Sequence, residues 1–326
     1  MAIEQVAENA DIIENSMIKE SLRSFDTSLW KNLLCDRTTG RNIIWGTDEY
    51  SPNGYEFSPE QEITLSSISG RYADIIRPRV HKSTEEQIIR TRKHAEVFTP
   101  SWLCNRMNNT FDEAWFGRAD VFSTIFDNTW RSESKNIVFP DDKKRNWQAY
   151  VDSRRLEITC GEAPFLVSRY DTVSGDKIDI PHRIGILDRK LRVVSENTDS
   201  ETEWLKWAYR AFESVYGFEF QGDNLLIARI NLLLTFAEYL EHKWDRQPNY
   251  KELRDITRII SWNLWQMDGL TDTVPLGIPE EPYEQMTLFD FEEEEEPENV
   301  QPLCRIMDWR AGKSIEFASL KEKGWE

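Results

Sequence analysis

The sequence predicts an α/β fold built on a parallel sheet, and three stretches carry that prediction. In WLKWAYRAFESVY, the residues Trp204, Leu205, Trp207, Ala208, Ala211, Phe212 and Val215 recur at helical spacing, and the segment runs straight into the short, β-prone VYGFEF. A second helix follows from about Asp223, apolar nearly all round through NLLIARINLLLTFAEYL, as a helix packed on a sheet would be. A third, YKELRDITRIIS, leads into the strand-like WNLWQMD. Strands alternating with helices require crossover connections, hence parallel pairing.

Residues 1–88 form an N-terminal accessory region: a helical start, turn-rich DRTTGRN and SPNGYEF, and NIIWG between them as a strand. From Ser83 the pattern turns helical, with serine as N-cap and acidic residues in the first turn of STEEQ. Residues 89–275 form the main domain. Within it LEITC reads as a buried strand, CGEAP as a tight turn, and 171–197 as an inserted β-hairpin around the turn signal VSGD. Prolines and the run Glu292 to Glu296 mark 276–300 as an acidic flexible linker, and 301–326 carries a last strand-like piece, LCRIMDW.

Composition excludes several classes. With 39% apolar and 12% aromatic residues, including 13 tryptophans, the 326-residue chain has too much apolar surface to remain disordered. No run approaches the roughly 18 apolar residues of a membrane span, and the N-terminus lacks a basic start and apolar stretch. A soluble, cytoplasmic protein is expected. The net charge of −18 argues against bulk attraction to phosphate, so nucleic acid would be met through a local basic patch or a partner. Four scattered cysteines and four scattered histidines make no CxxC or HExxH spacing, which points to reduced thiols and away from metal chemistry.

Four segments could carry chemistry. In HAEVFTPSWLCNRM, Thr99 and Pro100 read as N-cap and first helical residue, which places Glu96, Val97 and Phe98 at a helix mouth. In RRLEITCGEAPFL, small residues at the turn let backbone amides approach a ligand where a strand ends. In YGFEFQGDNLLIAR, Glu219 stands where a carboxylate can accept both hydroxyls of a ribose. NLWQMDGL is another strand ending in an acid, Asp268.

In that order and spacing the four segments resemble the adenine-N6 DNA methyltransferases of restriction-modification systems, especially the short proteins called restriction endonuclease subunit M. AEVFTP is similar to their (G/A)-E-x-(F/Y)-T-P motif, and LEITCGEAPFL to the cofactor loop D-P-x-x-G-x-G-x-(F/L). Glu157 stands in the acidic place and Gly161 at the first glycine, while Ile158 replaces the proline and Ala163 the second glycine. The resemblance spans about residues 89–275. It implies a Rossmann-like class I methyltransferase sheet that binds S-adenosylmethionine through Phe98, Thr99, Pro100, Glu157, Thr159, Gly161, Glu219, Phe220 and Asp268.

The family's catalytic tetrapeptide, (D/N/S)-P-P-(Y/F/W), does not occur here; EEPY at 280–283 lacks a preceding apolar strand, and IIWGTDEY at 43–50 has no prolines. The chain ends where the fourth strand of such a sheet should begin. The expectation is therefore an incomplete sheet and a split enzyme: a second subunit carrying an NPPY-type motif would supply the catalytic half, with a homodimer across the same edge as the substitute. DNA would be met mainly through that complex. The alternative is a non-catalytic, cofactor-sensing scaffold.

Three further features complete the reading. QMTLFDF resembles the peptide with which bacterial proteins dock on the DNA sliding clamp, with Gln285, Leu288 and Phe289 as its anchors. Arg77, Arg79, Lys82, Arg90, Arg92 and Lys93 are the one stretch that could follow phosphates, or else a solvated helix face. The tryptophans could stack on bases but at this spacing read as core, and Cys160 reads as a packed thiol.

Overall fold

The computed structural model describes residues 25–276 and 302–323, apart from 95, 98 and 143. Its helices and strands are α1 (Thr27–Leu34), α2 (Thr84–His94), α3 (Ser101–Phe116), β1 (Ser123–Phe126), β2 (Thr129–Ser132), α4 (Trp147–Asp152), β3 (Arg155–Glu157), α5 (Ile186–Asn197), α6 (Glu201–Glu213), β4 (Val215–Glu219), α7 (Gly222–Trp244), α8 (Tyr250–Asn263), β5 (Leu264–Gln266), β6 (Arg305–Asp308), β7 (Lys313–Glu316) and α9 (Ala318–Lys323).

The architecture is α/β. Strands β3, β4 and β5 form a parallel sheet in that spatial order, with Glu157 beside Gly217 and Glu219 beside Gln266. Pleating sends alternate side chains to opposite faces. Val215 and Leu264 join the main core with Leu225, Leu226 and Ile260 of the crossover helices. Tyr216, Phe218, Trp265 and Met267 meet Val274, Cys304, Ile306 and Phe317, so the β6–β7 hairpin covers the second face. Each such side chain taken fully out of water contributes about 1.5–3 kcal/mol.

Local chemistry explains where the helices start. Ser83 and Glu86 form a reciprocal capping box at α2: the Glu86 amide donates to Ser83 Oγ at 3.2 Å, and the Ser83 amide to Glu86 Oε2 at 2.6 Å. Asn249 and Glu252 do the same for α8. Helix α7 starts on Gly222 because it abuts the chain at Ile44: a Cβ there would lie 2.0 Å from the Ile44 carbonyl oxygen.

Several expectations are corrected. LEITC is not a buried strand: only Arg155–Glu157 pairs, at an edge of the sheet, with Leu156 37% and Ile158 66% exposed. The hairpin expected over 171–197 shrinks to the bridge between Tyr170 and Lys177 around a turn held by the Asp171 carboxylate, because 186–197 is a helix burying Leu187, Leu191 and Val194. NIIWG forms no strand and makes two isolated bridges, Asn42 to Cys35 and Ile44 to Glu62, while the Ile44 backbone also bonds the Gln266 side chain. Residue 88 marks no break in packing: Trp30, Leu33, Ile43, Trp45, Phe57 and Ile63 lie in the same core as the crossover helices. The C-terminal segment is a hairpin followed by a short helix. The 276–300 linker lies, from residue 277, outside the described residues, as do Gln285, Leu288 and Phe289. Among the described residues no helix is long and apolar enough to cross a membrane.

Candidate functional site

The site lies at the carboxyl ends of β3 and β4. Beyond Glu157 the backbone turns through left-handed conformations at alternate residues: Thr159 (φ 47°), Gly161 (φ 54°) and Ala163 (φ 65°). The two positions that correspond to motif glycines therefore both have the backbone that favours glycine, and Ala163 adopts it despite its Cβ. The turn is pinned to β4, where the Cys160 amide donates to the Phe218 carbonyl at 2.8 Å. Cys160 itself packs on Gly217, where a Cβ would come within 3.2 Å of its Sγ. Burial pushes that thiol well up, which leaves it a packed group and a poor nucleophile.

Two carboxyls face this turn. Glu219 accepts the Gly161 amide at 2.8 Å on Oε2 and the Gln221 amide at 3.2 Å on Oε1. Burial raises its pKa to about 7, against the pull of those two amides. Glu157 is also pushed well up by burial, its Oε1 taking the Phe165 amide at 3.4 Å, and the nearby Glu219 pushes it further. Its Oε2 is buried without a hydrogen-bond partner. A buried carboxyl oxygen in that state favours a ligand that brings a donor.

The AEVFTP segment reaches the same strand end through a buried arginine. Glu96 is 8% exposed and accepts Arg90 Nε at 2.5 Å, Arg79 Nη1 at 3.1 Å and Asn224 Nδ2 at 3.0 Å. Arg90, fully buried, also bonds Glu49, Gln221 and Asp223. Asp223 further takes Tyr50 Oη at 2.6 Å and Lys82 Nζ at 3.2 Å, and Arg90 and Lys82 hold it well below the usual carboxylate range. The motif is thus tied to the β4–α7 junction two residues beyond Glu219.

The other expected residues fare unevenly. Thr99 is not an N-cap: α3 starts at Ser101 with Pro100 in the cap position, and the Thr99 carbonyl instead accepts Thr172 Oγ1 at 2.8 Å. Phe98 lies outside the described residues. Thr159 is exposed and its hydroxyl turns back to the Ile158 carbonyl. The half-buried Phe220 offers its carbonyl to Gln266 Nε2 at 2.8 Å. Asp268 stands beyond β5, where its carboxylate takes the Leu270 amide at 2.8 Å. Glu157, Gly161 and Glu219 are brought together; Asp268 makes a local turn.

The proposed phosphate-following stretch is corrected. Arg90 and Lys82 are buried in ion pairs with Asp223, Arg79 pairs with Glu96, Arg77 with Glu86 and Lys93 with Asp48, so most of its charge is neutralised inside the chain. Trp30, Trp45, Trp204 and Trp265 are core, and Trp262 sits under the Arg37 guanidinium. Among the described residues no group of histidine, cysteine and acidic side chains could hold a metal. Sequence reasoning missed the Arg90–Asp223 centre. Its only signal was an acidic residue in the first turn of a helix, which dipole complementarity explains equally well.

Comparison with family models, curated proteins and solved structures gives no match for this chain.

Proposed function

We propose that this chain is the S-adenosylmethionine-binding half of a DNA adenine-N6 methyltransferase of a restriction-modification or phage-defence system, completed by a partner chain that grips the base. One observation carries the reading: the Gly161 amide and the Glu219 carboxylate meet at the carboxyl ends of adjacent parallel strands, in the order the motif resemblance requires. Parallel α/β sheets bind nucleotides at that end.

The residues suit the group. Glu219 keeps lone pairs for ribose hydroxyls after its two amide bonds, and the orphaned Glu157 Oε2 suits an ammonium donor. S-adenosylmethionine supplies an activated methyl group when bound. This chain's part is to hold and orient the donor and to keep water from it, while the partner positions the target amine, so catalysis is largely placement. No residue here is assigned to the chemical step. The neutralised basic stretch supports leaving DNA contact mainly to the complex.

Titration calorimetry of the full chain with S-adenosylmethionine tests this reading, with Glu219→Ala as the variant that loses binding. Heat absent both from the chain and from its complex would sink it. A second reading, a non-catalytic scaffold or cofactor sensor, draws on Ile158 and Ala163 in place of the motif proline and glycine and on the bonds already made by both Glu219 oxygens. Binding without methyl transfer in the completed complex would favour it.

A further inference from the structure

The two edges of the parallel sheet are finished differently. At β5, the Gln266 side chain acts as a surrogate strand: its Oε1 accepts the Ile44 amide at 2.8 Å, and its Nε2 donates to the Ile44 carbonyl at 2.9 Å. That side is sealed by the chain's own N-terminal segment. At β3, no strand among the described residues pairs on the outer side. The Arg155 amide donates to the Ser214 carbonyl just before β4, so alternation turns the backbone groups of Leu156 outward.

Apolar side chains are uncovered on both sides of that edge. Leu156, 37% exposed, lies on the face of its partner Tyr216, and Ile158, 66% exposed, follows it. On the opposite face the Arg155 guanidinium rests 5.8 Å from the ring of Phe111, which is 51% exposed, and Met107 one turn earlier on α3 is 45% exposed. A lone extended peptide would pair the edge but leave these two flanks wet. A strand with its own helices covers edge and flanks together, the form in which parallel strands are normally buried. A second copy fits poorly, because each chain carries a net charge of −18.

We propose that the β3 edge, with Leu156 and Ile158 on one face and Met107 and Phe111 on the other, docks a parallel strand of a different α/β chain whose rim is acidic where it meets Arg106 and Arg155. The docking surface stands on the sheet itself, and only the partner's chemistry rests on the methyltransferase reading.

The test places a photo-crosslinking p-benzoyl-phenylalanine at position 156, at 111, or at the remote, 80%-exposed Tyr55 as control, in the full chain expressed in the cell that makes it. Expected are adducts from 156 and 111, but not from 55, with one and the same foreign polypeptide. That polypeptide, purified, forms a one-to-one complex with the full chain by light scattering, and Ile158→Asp abolishes the complex while leaving the circular dichroism unchanged. Absence of adducts, adducts with a second copy of this chain, or a complex indifferent to Ile158→Asp would overturn the proposal. A captured polypeptide that docks in this way but lacks an NPPY-type tetrapeptide would uphold the edge and defeat the methyltransferase reading instead.

Discussion

The Gly161 amide donates to the Glu219 carboxylate across 2.8 Å, joining the turn after β3 to the end of β4. The bond fixes the turn and half-satisfies an acid that burial has driven toward neutrality. Four expectations follow from this and neighbouring contacts.

Stability falls with rising pH in a defined window. The folded pKa of Glu219 is raised from the ordinary 4.5 to about 7, so the folded state binds its proton more tightly. The contribution is full below pH 4.5 and is lost as pH rises through 7, on the order of 3 kcal/mol at 1.36 kcal/mol per unit. Urea unfolding at pH 4.5 and pH 8 should show that loss in the wild type and a smaller one in Glu219→Gln, where Glu157 still contributes in the same direction. Parallel curves for the two proteins would exclude Glu219 as the source.

Arg90→Met costs about 3 kcal/mol, because it removes the counter-charge that the buried Asp223 and Glu96 share and leaves them only Lys82 and Arg79 respectively. Chemical denaturation measures it. Adding Asp223→Asn should recover part of the loss, since the two residues are coupled.

Gly222→Ala brings a Cβ to within 2.0 Å of the Ile44 carbonyl oxygen, backbone against backbone. The better helix propensity of alanine offsets only about 1 kcal/mol, so a net loss of at least about 2 kcal/mol is expected in the thermal midpoint. An unchanged midpoint would mean that α7 does not abut this segment.

Ile158→Asp is the contrasting case. The side chain is 66% exposed, so the isolated chain should keep its unfolding free energy within about 0.5 kcal/mol. A large loss would place Ile158 in this chain's own core.

The sequence was most legible where long helices bury one stripe. The alternation from Glu201 to Gln266 emerges from helical period and short β-prone runs, and the structure has it at nearly those places. Helix α5 was hidden because its buried face carries Asp188, Arg189 and Lys190, charges that erase the apolar period. Lys190, for one, directs its Nζ to the Ser153 carbonyl and the Ser214 hydroxyl. Around Trp45 and Phe57 the core is built from short turns with no period to detect. Of the candidate site, the meeting of Glu157, Gly161 and Glu219 was legible because each stands at or just beyond the end of a strand-like run in the sequence. The exposure of LEITC was not, since an apolar run looks alike at the centre and at the rim of a sheet.

Gln266 clasping Ile44 sets how the parallel sheet can be extended. With one flank occupied from within, β3 is, among the described residues, the side of that sheet left for further hydrogen-bonded growth. A strand added there would finish this sheet, where a doubly open one could run on in both directions.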